Sequence, residues 1–406
     1  MLIIFIMSTG NEIRRGIEAN WHQYLSKYGN LFSSKEIQGS SPPSIFVGTY
    51  GYPKVGVGPM VPPIHGETSI LDMPEKWIGK SLEEIVNFRL NLIRGIKNIS
   101  VTQTEGRLIE NLQDMTMSSS PADTEIQFVK TTSPITSLDD QTPPFGPIGE
   151  IKNAKFSSTK AITSIEKVFY DHDLKAENAI MKLYNSGIDI TKIQKCLSIG
   201  MMGKNRKLVP TKWSITATDD VISKSLMSKI LDFDIIDSFY VFSYEHLGNL
   251  FSIILFPHRW LFEMQEAWHD GKSIGFGSDY EDAKGISHPP LIAGAFFAAK
   301  LAVSEYLIKK QKQAGILVLR EIQPEYAVPV GVWQVREGVR QAMRRTPQIV
   351  ENIEQSIELA TKKMSVSKNE WLREGKMLKL IQQKVITDFF LNMVFIDRLC
   401  KIINAK

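Results

Sequence analysis

The sequence predicts an α+β fold, with mixed sheets and a helix-rich C-terminal region. Residues 235–245 and 250–256 are apolar runs parted by His246-Leu247-Gly248-Asn249, the pattern of a β-hairpin. Residues 293–311 carry apolar side chains at helical spacing, and 316–322 form a nearly continuous aliphatic run of strand length. Helix-like and strand-like segments do not alternate regularly and no internal repeat occurs, which argues against a doubly wound sheet.

Taken in chain order, residues 11–37 read as a polar helix with Arg14, Arg15 and Glu18 on its charged face, broken by Ser40-Ser41-Pro42-Pro43. Residues 45–48 form a short strand. Gly48, Gly51, Gly56 and Gly58 then call for tight turns or a backbone approached closely by something else. No Gly-Lys-Ser/Thr follows, so this is not a phosphate loop. Ser81, with Glu84 three residues on, starts a helix that should reach about Arg94. Residues 114–148, rich in Ser, Thr, Asp and Pro, read as a long irregular excursion holding at most one strand at 125–130. Two helices over 174–200 divide at Gly187-Ile188-Asp189. Helices over 332–345 and 348–363 lead into a terminal helix over 371–403. The expected domains are 1–285 and 286–406.

The 406 residues suffice for two or three cores, and 43% hydrophobic with 23% charged residues is ordinary for a soluble globular chain. A net charge of +4 is mild, so a nucleic acid would have to meet a local basic patch rather than a general field. Two cysteines, Cys196 and Cys400, exclude a disulfide framework and a cysteine-based zinc site. No metal or cofactor is expected, and folding should not require metal. Residues 1–7 are apolar but too short to span a bilayer and lack the flanks of a signal peptide. No other segment is apolar for long enough, so the chain is expected to be soluble and cytoplasmic, without membrane contact.

The sharpest motif is Gln383-Lys384-Val385-Ile386-Thr387-Asp388-Phe389-Phe390, which has the form of peptides that bind sliding clamps of the PCNA type. A short helical turn puts Ile386, Phe389 and Phe390 on one side as an apolar plug, with the Gln383 amide fixing register. The same residues also suit the buried face of an amphipathic helix, and sixteen residues follow the motif. For DNA contact, Lys204, Arg206, Lys207 and Lys212 surround Trp213, a grouping that suits phosphates and a stacked base, or else a solvated loop with an anchoring indole. Arg336, Arg340 and Arg344 recur every four residues on one helix face, fit either for a phosphate backbone or for surface ion pairs. Asp219 and Asp220 lack a third ligand and equally suit the start of a helix from Val221. His258, Glu263, His269, Asp279 and Glu281 form the densest group of catalytic residue types, although their spacing matches no ligand motif and also suits the polar surface of a helix.

Three blocks, Val47-Gly48-Thr49-Tyr50-Gly51-Tyr52-Pro53-Lys54-Val55, Val209-Pro210-Thr211-Lys212-Trp213 through Asp219-Asp220, and Gly331-Val332-Trp333-Gln334-Val335-Arg336-Glu337-Gly338-Val339-Arg340, resemble the archaeal Nre family of DNA-repair proteins. They keep their order across nearly the whole chain. The resemblance implies a clamp-binding motif near the C-terminus, where 383–390 lies. Two departures stand out: residues 8–40 hold no cysteine where many family members carry a zinc-finger-like segment, and the motif is not at the extreme C-terminus. Two functions remain open. One is a DNA-repair protein docked on a sliding clamp and touching DNA through basic patches. The other is a metal-dependent nuclease or phosphodiesterase built on the His258–Asp282 group.

Overall fold

The computed structural model describes residues 34–379 except 134–137, 140, 270–272, 287 and 378. The fold is α+β. The first sheet takes β1 (Glu36–Ser41), β2 (Ile45–Val47), β3 (Lys54–Val61), β4 (Ile93–Ser100), β5 (Ala122–Phe128) and β6 (Ile148–Phe156), in the order β1-β5-β6-β4-β3-β2. Only β4 and β6 run parallel; the other neighbours are antiparallel. The glycine-rich run has a steric reason here: a Cβ on Gly58 would lie 1.8 Å from the Gly95 carbonyl oxygen on β4. Helix α1 (Leu82–Leu90) begins with the capping box of Ser81 and Glu84. It stops short of Arg94 because Ile93 already opens β4, paired on both sides.

Helices α2 (Arg107–Met117), α3 (Thr163–Phe169), α4 (Ala176–Asn185), α5 (Ile190–Ser198) and α6 (Thr211–Ile230) pack beside this sheet. Their shared core contains Val55, Val57, Ile109, Leu112, Ile180, Ile193 and Ile222. The excursion expected over 114–148 is therefore partly regular, with α2 reaching Met117 and β5 spanning Ala122–Phe128. Helix α6 starts at Thr211 rather than Val221, so Asp219 and Asp220 sit mid-helix and cannot serve as charges at its N-terminus.

After the short β7 (Asp234–Ile235), the second sheet takes β8 (Phe239–His246), β9 (Asn249–Phe256), β10 (Leu261–His269), β11 (Ile274–Asp282), β13 (Gly315–Ile322) and β14 (Gln348–Val350). Their order is β11-β10-β13-β9-β8-β14, while β12 (Lys312–Gln313) pairs with β7. The expected hairpin is β8–β9, turned by Leu247 and Gly248, both at positive φ (50° and 67°), as the favoured two-residue loop requires. All eight residues of β13 are buried, since α7 (Ala293–Lys310) and α8 (Trp333–Met343) cover one face of the sheet. Helices α9 (Ile353–Thr361) and α10 (Lys368–Glu374) cover the other, through Ile357 and Trp371 against Val241, Ile254 and Leu317.

Helix α6 joins the two layers. Ile222 and Leu226 enter the first core, and Ile215, Met227 and Ile230 enter the second. Strands on both sides of residue 285 contribute to the second sheet. Two further expectations change. Residues 261–269 and 274–282 are two long antiparallel strands, not a helical surface. Residues 348–350 add an edge strand on β8 before α9 begins, capped by Asn352. The helix expected over 11–37 lies outside the described residues up to 33, and 36–37 belong to β1. No described helix is long and apolar enough to cross a membrane.

Candidate nucleic-acid interface

The turn between β2 and β3 carries two tyrosines into solvent. Tyr50 is 95% exposed, Tyr52 52%, and Trp213, in the first turn of α6, 46%. The Tyr52 and Trp213 rings lie 5.2 Å apart, tilted by 56°. Local geometry fixes this placement. Gly51 takes φ +81°, and Lys54 N–H donates to the Gly51 carbonyl at 2.9 Å, closing the turn. Val101 N–H donates to the Pro53 carbonyl at 2.8 Å, and the Val101 carbonyl accepts from Leu208 N–H at 2.8 Å. Those bonds lay the 203–210 loop beside the tyrosine turn.

Lys54, Lys204 and Lys207 are exposed around this surface, and among the described residues no carboxylate lies within ion-pair distance of them. Lys212 is half-buried, and its Nζ binds Asp139 at 2.6 Å. Arg206 anchors the loop from below: it donates to the Phe169 carbonyl, lies 5.0 Å from that ring, and burial draws its pKa down. Of the four cations expected around Trp213, Lys204 and Lys207 are thus free to meet phosphates, while Lys212 and Arg206 are engaged within the protein. Exposed rings beside unpaired lysines can stack unpaired bases and hold the strand that carries them.

The arginine row is not a surface. Arg336 is 1% exposed and its Nη1 donates to both oxygens of Asp219, at 2.9 and 2.8 Å. Arg340 is clamped by Glu305 (2.7 and 2.6 Å) and Glu337 (2.6 Å). Helix α8 turns that face toward α6 and α7, so these two arginines tie elements together instead of meeting a phosphate backbone. Arg344, beyond the last turn, is exposed. Next to it Arg345 lies 4.7 Å over the Tyr244 ring and, with Lys362 and Lys363, lines an open groove of about 700 Å³ between β8 and α9. Among the described residues these four cations have no carboxylate at ion-pair distance.

The acid and histidine group is dispersed. Glu263 is buried and accepts from the Lys376 and Met377 N–H groups at 2.7 and 2.8 Å; burial raises its pKa against those two bonds. Glu281 binds Lys300 Nζ at 2.7 Å and accepts from Trp260. Asp279 accepts from Ile292 N–H at 2.7 Å, His269 faces Glu321 at 3.4 Å, and His258 is exposed, bonded to the Arg259 carbonyl. Each carboxylate is engaged by a different structural partner. Among the described residues no three His, Cys, Asp or Glu side chains converge as a metal site would require. Gln383, Ile386, Phe389 and Phe390 lie outside the described residues.

Sequence reasoning placed Arg345 beside the arginine row but passed over Tyr50, Tyr52, Lys362 and Lys363. Two tyrosines flanking Gly51 within a turn was the available signal for the first pair; the lysine pair belongs to a groove that only the tertiary fold creates.

Two family models match in chain order: archaeal Nre, N-terminal, over residues 16–273, and archaeal Nre, C-terminal, over 281–389. The DNA repair protein NreB of Archaeoglobus fulgidus is 36% identical over 362 residues, covering 87% of this chain and 92% of that protein. The DNA repair protein NreA of the same organism is 37% identical over 360 residues (86% and 90%). The DNA repair protein NreA of Haloferax volcanii is 29% identical over 395 residues (92% and 93%). No solved structure matches the chain. With both family regions present in order and relatives aligned along nearly their full lengths, the chain belongs to the archaeal Nre family.

Proposed function

We propose that this protein acts in DNA repair by holding unpaired DNA on the Tyr50–Tyr52–Trp213 surface while the 383–390 motif tethers it to a PCNA-type sliding clamp. The names of its relatives support the repair role. The observation that carries the DNA reading is the set of three exposed rings, two of them in contact, beside the unpaired Lys54, Lys204 and Lys207. Lysines there neutralise phosphates without reading sequence, so affinity should fall steeply with salt. The groove of Arg345, Lys362 and Lys363 is a second place for backbone phosphates. The dispersal of the His258–Asp282 group takes away the geometric support for a metal-dependent nuclease.

Replacing Lys204 and Lys207 by alanine is expected to weaken single-stranded DNA binding and to lower the slope of log affinity against log salt by about 0.7 for each phosphate no longer neutralised. Fluorescence anisotropy over a salt series measures both; an unchanged slope in the folded variant removes the loop from the interface. For the tether, Phe389→Ala with Phe390→Ala should abolish clamp association with an unchanged melting temperature, because two aromatic anchors carry most of such an interface. A large fall in melting temperature, with no clamp binding by the unmodified protein, would assign both rings to a core instead.

A further inference from the structure

A second, buried site lies where the two family regions meet. The 3-10 turn Ser69–Asp72, helix α1, helix α5 and helix α8 bring Asp72, Arg89, Lys195 and Arg336 around one cavity of about 30 Å³. That is two to three times the space of about 10–15 Å³ that a single water needs, so a compact ion fits and a nucleoside does not. Exposure is 8% for Asp72, 1% for Arg89, 7% for Lys195 and 1% for Arg336.

Donors outnumber acceptors here. Asp72 accepts from Arg89 and Ser44 and binds Lys195 Nζ at 2.8 Å. Lys195 also makes a 3.4 Å bond to the Ile45 carbonyl. Arg336 spends Nη1 on Asp219, and its buried Nε makes no hydrogen bond, with the Glu337 carboxylate 4.0 Å away. Behind Phe145, which lines the cavity, Arg94 is also buried, 4.3 Å from that ring, with its own Nε unpartnered. Four cations, Arg89, Arg94, Lys195 and Arg336, thus stand against three carboxylates, Asp72, Asp219 and Glu337. Burying such an excess is costly unless a counter-charge is supplied. Burial already pulls the pKa of Lys195 down and that of Arg94 down to about 9. On the far side of Lys195 a second cavity is lined by Lys192 and by Glu75 and Asp189, whose carboxylates remove the excess there. The anion-seeking side is the one facing Arg336.

We propose that this cavity binds one tetrahedral oxyanion of the phosphate class, an all-acceptor group held by Lys195 and Arg336 with the Thr191 hydroxyl beside it, while Arg89, whose nitrogens already bond to Pro144, Leu71, Asp72 and Met60, contributes its charge. The cavity is separate from the Tyr50–Tyr52–Trp213 surface, and its occupancy does not depend on nucleic-acid binding there. The phosphate is either free or the terminal phosphate of a strand end, and the two sources separate experimentally.

The test is calorimetric titration of the intact protein with inorganic phosphate at fixed ionic strength in chloride. Saturable binding of about one phosphate per chain is expected. Lys195→Gln and, separately, Thr191→Leu, which fills the cavity with carbon, should each weaken it about tenfold or more, the effect of removing one charge-assisted hydrogen bond. Lys362→Ala with Lys363→Ala should leave it unchanged. A 5′-phosphorylated oligonucleotide that competes where its 5′-hydroxyl form does not identifies a strand end as the source; phosphate binding without such competition identifies the free ion. No saturable binding by the unmodified protein overturns the proposal, as does unchanged affinity in Thr191→Leu, which decides the matter if Lys195→Gln does not fold.

Discussion

Arg336→Ala should destabilise the protein by about 3–5 kcal/mol, the cost of removing one partner from a buried ion pair. The side chain is almost fully buried and joins α8 to α6 through two bonds to Asp219. Its loss leaves the Asp219 carboxylate buried without its partner. Burial already raises that carboxyl's pKa, and Arg336, with Arg340, holds it down. A carboxyl whose folded pKa is raised binds protons more readily folded than unfolded, so the variant should recover some stability as pH falls toward that pKa. Asp72 behaves oppositely: its burial is outweighed by Arg89 and Lys195, its folded pKa lies below the ordinary value, and its contribution is lost as pH falls through that lowered pKa. Urea unfolding of Arg336→Ala at neutral and mildly acid pH measures the first effect. A variant with unchanged stability and weakened DNA binding would restore Arg336 to a surface role.

Tyr52→Ala with Trp213→Ala should reduce affinity for single-stranded DNA by about fivefold to 150-fold per ring, since a base stacked on an aromatic side chain contributes about 1–3 kcal/mol. The fold should lose little. Both rings are about half exposed, and what disappears is chiefly their mutual packing, worth about 1 kcal/mol. Anisotropy and melting temperature measured on the same preparation separate the two effects. The double-stranded form of the same sequence should lose much less, because its bases are already stacked on one another.

What the sequence shows and what it hides divide by range. The capping box at Ser81, the break at Gly187, the β8–β9 turn and helix α7 rest on neighbours in sequence, and each lies where local chemistry puts it. The arginine row misleads for the opposite reason. A four-residue repeat states which residues share a helix face, not what that face meets, and Asp219 and Glu305 are far away in sequence. Glu263 and Glu281 likewise look catalytic until their partners, the Met377 N–H and Lys300, come into view. Residues 261–282 mislead further because β10 is buried on both faces and so lacks the alternation that marks a strand. At the candidate interface, Trp213 and the loop lysines were legible as a cluster. The neighbouring ring Tyr52, far earlier in the chain, was not.

Photocrosslinking of a thymine-rich single-stranded oligonucleotide to the intact protein, with the adducts located by mass spectrometry, tests the DNA reading most directly. Adducts concentrated on Tyr50, Tyr52 and Trp213, and lost when excess unlabelled single strand competes, are the expected result. Efficient crosslinking elsewhere on the chain, with those three residues unmodified, would contradict it.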